Sequence, residues 1–132
     1  VNAVSIAKAL AAEPDPIFAA IERHDSACHA HSAVVTVYGR MRHGEPGYIE
    51  AEKRSHEACH RSFEALADLL LTEPTTFVGA AAVLEYVGSP QYEWEGDGNE
   101  TIMQVALDAP CTQEAALAFL PTIAATLRRL AA

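Results

Sequence analysis

All six histidines of the chain (His24, His29, His31, His43, His56, His60) and two of its three cysteines fall between positions 24 and 60. Cys28-x-x-His31 and His56-x-x-Cys59 are i, i+3 pairs, so on helices the members of each pair share a face. Two thiolates and two imidazoles converging from facing helices would make tetrahedral ligands for zinc. His24, His60 and Glu52 stand one layer away, able to orient a ligand or replace one. The competing reading is packing. Free cysteine behaves as a small hydrophobe, and His31 and His56 can hydrogen-bond across a seam or sit at its edge in water. A Cys28–Cys59 disulfide is a third arrangement, but bridged Cα atoms lie about 4.4–6.8 Å apart while helix axes pack about 8–10 Å apart.

His56-Glu57-Ala58-Cys59-His60 also spells HExxH, the helix on which two histidines bind zinc and a glutamate activates water. Its context is poor for proteolysis: Phe63 stands where the metzincin extension needs glycine, and no strand is evident to align a peptide. Glu57-x-x-His60 within it is the i, i+3 element of di-iron bundles, a second way to read the layer as a metal centre. No G-x-S-x-G elbow occurs. The glycines of residues 95–99 lie among acids that would repel a phosphate, and the spacing of Glu93, Glu95, Asp97 and Glu100 is not that of an EF-hand loop.

Two helices must position these residues. Ile17, Ile21, His24, Cys28, His31, Val35 and Tyr38 recur in alternating steps of four and three, and so do Ile49, Glu52, His56, Cys59, Phe63, Leu66 and Leu70. Each set forms one narrow helical stripe. Paired in reverse order, from Ile17 with Leu70 to Tyr38 with Ile49, the position numbers of every pair add to the same total. An antiparallel hairpin over 15–71, turning at residues 41–45, would produce that symmetry. Asp15–Pro16 is a strong start signal, an N-cap acceptor followed by proline at N1. Gly39, Gly44, Pro46 and Gly47 mark the turn.

The rest predicts shorter covering helices and a single all-α, bundle-like domain over 1–132. Ser5 can cap a short helix to about Ala12. A threonine, 75 or 76, can cap a helix over 76–87 whose one charge before Val87 is Glu85, so this helix belongs inside the fold or in a subunit contact. Tyr92 and Trp94 sit in an acidic loop over 89–100 and would pin it to the core or meet a partner. Thr112 can cap a last helix over 112–130 that Pro121 should kink or split. Arg128 and Arg129 stand in its final turn, favourable for the helix dipole.

Residues 15–24 (DPIFAAIERH) and 69–87 (LLLTEPTTFVGAAAVLEYV) resemble a family of small uncharacterised bacterial proteins. Its members pair a DPIFAAIE-like helix start with a later TPPTT-x-x-G-x-x-A-L-x-Y segment. Here Glu73 replaces the first proline of that segment, leaving Pro74. The resemblance covers about the first two thirds of the chain and implies an all-helical fold. It assigns no activity and no site residues.

Composition narrows the function classes. Eighteen acids against nine bases give a formal charge of −9. Arg40, Arg42, Lys53, Arg54 and Arg61 are interleaved with glutamates, so no basic stripe invites nucleic acid or an anionic membrane surface. No apolar run is long enough to span a bilayer, and no secretory signal is evident. Three cysteines in such a chain suggest reduced thiols in the cytoplasm. The leading expectation is a small acidic cytoplasmic helical protein that works through protein contacts and self-associates as a homodimer or homo-oligomer. The alternative is a zinc- or iron-binding bundle or metalloenzyme using Cys28, His31, His56 and Cys59.

Overall fold

The computed structural model describes residues 14–90 and 100–132. The expected helix over 5–12, and Tyr92 and Trp94 of the acidic loop, lie outside the described residues. Five helices follow in order: α1 (Pro16–Gly39), α2 (Tyr48–Leu71), α3 (Phe77–Val87), α4 (Ile102–Asp108) and α5 (Gln113–Ala131). Among the described residues there is no strand, and no helix is long and apolar enough to cross a membrane.

The α1–α2 hairpin forms where the sequence places it. Asp15 caps α1, its Oδ1 accepting the Ile17 N–H at 3.0 Å, and Pro16 takes the position whose N–H would have no helical partner. The turn uses Gly44 and Gly47 at φ +90° and +86°, a region that costs an L side chain about 1–2 kcal/mol. Tyr38 and Tyr48 fasten the tip through a 2.9 Å hydroxyl–hydroxyl hydrogen bond.

The register of the seam differs from expectation on one side. α1 buries Ile17, Ala20, His24, Cys28 and His31, nearly the expected stripe. α2 buries the expected Leu66 and Leu70, but otherwise Ala51, Ser55, Ala58, Ser62 and Leu69, while Ile49 stands 77% exposed. From Ala51 to Ser62 each buried position of α2 precedes the expected one by one residue, whereas the expected Leu66 and Leu70 are buried at the base. The physical reason is volume. An interior is close-packed, and His24, Cys28 and His31 leave room for Ser62, Ala58 and Ser55, not for Phe63, Cys59 and His56.

The main core lies at the base of the hairpin. Ile17 and Ala20 of α1 meet Leu66, Leu69 and Leu70 of α2, Val83 and Val87 of α3, Ile102 and Ala106 of α4, and Phe119 and Ile123 of α5. Among the described residues none between 21 and 65 belongs to the buried core cluster, so as described the distal half of the hairpin is an arm of α1 and α2 beyond it.

Asp15 and the residues that open α3 form one clamp at the base. Thr76 caps α3 by accepting the Gly79 N–H, while its own N–H and hydroxyl donate to Asp15 Oδ2 at 3.0 and 2.6 Å. One buried carboxylate therefore caps α1 and holds the cap of α3. Burial alone would raise the Asp15 pKa. Hydrogen bonds from the Thr76 hydroxyl and the N–H groups of Ile17, Thr75 and Thr76 outweigh it and hold the carboxyl below its usual value. Glu73 ties the same segment to α5, pairing with Arg129 and accepting the Thr126 hydroxyl at 3.2 Å.

Two expectations for α5 change. Thr112 stands at its N-cap, but its hydroxyl donates to the Ala106 carbonyl at 2.7 Å and so locks α4 to α5. Pro121 does not split the helix. It lies on the exposed side, where water can serve the carbonyl that has lost its donor.

Candidate functional site

The one-residue rotation of α2 decides the fate of the expected metal layer. Cys28 and His31 are buried on α1, Cys59 is half-buried at the seam edge, and His56 is exposed. Cys28, His31, His56 and Cys59 do not converge, and among the described residues no group of three or more His, Cys, Asp or Glu could hold a metal ion. The HExxH residues face outward as well: His56, Glu57 and His60 are exposed, and His60 Nε2 lies 2.8 Å from Glu64 Oε1, one turn on. Cys28 and Cys59 form no disulfide with each other, so the disulfide reading falls too.

The seam builds a different chain of polar groups. His24 is one helical turn before Cys28, and its Nε2 lies 3.3 Å from Cys28 Sγ. Its Nδ1 lies 2.6 Å from the Tyr86 hydroxyl of α3, the rings meeting edge to face at 88°. Burial pushes the His24 pKa down from 6.5 to about 4, with the Asp25 carboxylate pulling weakly the other way. At pH 7 the imidazole is neutral and carries one N–H. Either Tyr86 donates to Nδ1 and Nε2–H points to sulfur, or Nδ1–H points to Tyr86 and the thiol donates to Nε2.

Cysteine, histidine and an orienting hydroxyl are the parts of a nucleophilic centre, but the environment removes the chemistry. A reactive thiolate needs a cationic or dipolar neighbour and access to substrate. Here the imidazole resists protonation, and Cys28 is 0% exposed. The chain joins α1 to α3 through the protein interior. The sequence pattern flagged His24 as a neighbour of the metal layer but carried no sign of Tyr86, which lies far along the chain in a helix with an ordinary apolar pattern.

The distal arm presents the other candidate site. Residues 26–39 contain no Asp, Glu, Lys or Arg. Ser26, His29, Ala30, Ala33, Thr36 and Val37 are nevertheless exposed, Val37 at 60%. Ala33, Val34, Val37, Ala51 and Arg54 line a shallow cavity of about 250 Å³ along the arm, nearly all of it apolar. Arg54 is its one charge. On α3, Phe77, Val78 and Leu84 are also exposed, while Gly79, Ala80, Val83 and Val87 turn inward, so this helix is half inside the fold.

Compared with protein-family models, with curated proteins and with solved structures, the chain matches none.

Proposed function

We propose that the protein works through protein contacts, and that the outer face of the distal arm receives a partner helix that is itself apolar and uncharged. The observation that carries this reading is the charge-free, solvent-facing half of α1 in a chain of net charge −9. A helix without charge on any side is normally covered, and among the described residues the core cluster of the base includes none from this half of α1. The cavity beside Val34 and Val37 offers the concave apolar surface that a helix-in-groove contact uses. The sealed, neutral His24–Cys28 pair supports a binding rather than a catalytic role, and three cysteines that form no disulfide fit a cytoplasmic setting.

The test is to place charge on the face and ask whether the fold needs it. Ala33→Glu and Val37→Glu, measured in dilute solution, leave the helical circular dichroism and the urea midpoint unchanged, within the roughly 0.5 kcal/mol expected of a surface substitution. Both reduce the fluorescence of an apolar dye bound by the unaltered protein. Loss of helical signal on either substitution would mean that the face is packed within the fold, and the reading would fail.

A further inference from the structure

Resting on the reading of the arm as a contact surface, we infer that the partner is a second copy of this chain, with the two α1 helices laid antiparallel across a two-fold axis and the two arms forming a four-helix bundle. Three observations carry it: the distribution of charge, the order of charges along α1, and the size of the face.

Two copies of net charge −9 repel unless they meet on a neutral patch. Residues 26–63 hold five bases against four acids, whereas the rest of the chain holds four bases against fourteen acids. The arm is thus the part of the molecule that a like-charged copy can approach. Its charge-free half of α1 is where a symmetric contact, in which one patch meets itself, places no like charges together.

Direction follows from what flanks that half. On its N-terminal side stand Glu22, Arg23 and Asp25, a net charge of −1, and on its C-terminal side Arg40 and Arg42. Antiparallel overlap of residues 26–39 lays Arg40 opposite Asp25 of the other copy, twice by symmetry, and although Arg42 then falls opposite Arg23, the flank of net charge −1 meets the flank that holds two arginines. Parallel overlap would set acid against acid and arginine against arginine. The antiparallel form also carries the two acidic bases to opposite ends of the assembly.

Residues 26–39 span about 21 Å of helix, and the arm is about 20 Å across two helices, giving a face of roughly 400 Å² in projection. Side-chain relief enlarges this toward the roughly 800 Å² of accessible surface per partner that specific contacts bury. Such a contact lies at the small end of that class. A second two-helix arm supplies the missing layer of a bundle and covers the cavity lined by Ala33, Val34, Val37 and Ala51.

The experiment is sedimentation equilibrium on the untagged full chain from low-micromolar to about millimolar concentration. The expected result is a monomer–dimer equilibrium that Ala33→Glu and Val37→Glu each shift to monomer, and that Arg40→Glu weakens about tenfold. Val78→Glu, on the exposed face of α3, leaves it unchanged. A monomeric mass at every concentration overturns the inference, while the arm remains a contact surface if the glutamate variants still fold and lose dye binding. A dimer that survives Val37→Glu but is lost in Val78→Glu also overturns it and moves the contact to α3.

Discussion

Gly79→Ala tests the clamp at the base of the hairpin, because its sign should be the reverse of what helix propensity gives. In an ordinary helix interior this exchange stabilises by about 1 kcal/mol. At Gly79 an added Cβ would fall on Asp15 Oδ2, 2.7 Å from Asp15 Cγ and 2.8 Å from Ile17 Cγ2. The carboxylate cannot turn aside freely, since Oδ1 holds the Ile17 N–H and Oδ2 holds both donors of Thr76. Making room means giving up the two bonds to Thr76. Hydrogen bonds to a charged acceptor contribute about 1.5–3 kcal/mol each, so after the propensity gain the net cost is about 2–5 kcal/mol. For a domain of this size that is a fall of roughly 8–20 °C in melting temperature. Thermal and urea unfolding followed by circular dichroism read it directly. In an Asp15→Ala background the main obstacle is gone, and Gly79→Ala should then cost close to nothing. The cycle should therefore give a coupling of about 2 kcal/mol or more. Equal costs in the two backgrounds, or a neutral Gly79→Ala in the unaltered chain, would refute the clamp.

Acid should weaken the fold through His24. Its folded pKa of about 4 lies below the ordinary 6.5, so the unfolded chain binds the extra proton between these values. Stability from this group is complete above pH 6.5 and is lost progressively as pH falls to about 4, in all about 3 kcal/mol. Urea midpoints across that range should fall in the unaltered protein and stay much flatter in His24→Gln; an equally steep fall in both would dismiss the effect. Below it, the lowered Asp15 pKa adds a further loss as pH drops through the carboxylate range. Chelation should leave the melting temperature unchanged, and Cys59→Ser, at the seam edge, should cost about 1 kcal/mol or less. A chelator-induced fall of several degrees would restore the metal reading of Cys28, His31, His56 and Cys59.

How the hairpin could be read from sequence follows from which signals are local. Asp15–Pro16, Gly44, Gly47 and Thr76 set caps and turns within a few residues of themselves, and the structure uses each of them as expected. The four-and-three spacing gave two facing helices and, on α1, the buried His24, Cys28 and His31. The spacing could not choose between neighbouring stripes on α2. Counting apolar bulk favours His56, Cys59 and Phe63, whereas fitting against α1 favours Ser55, Ala58 and Ser62, and that fit is a property of two helices together.

The same one-residue difference separates a converging metal layer from a seam with Cys28 buried and His56 and His60 facing outward. The Tyr86 contact to His24 and the tie from Glu73 to Arg129 and Thr126 were likewise beyond the sequence, because each joins residues more than fifty positions apart. Local chemistry along the chain determined where helices begin, end and turn back. Which side chains meet inside was decided by the volumes that the folded helices leave for one another.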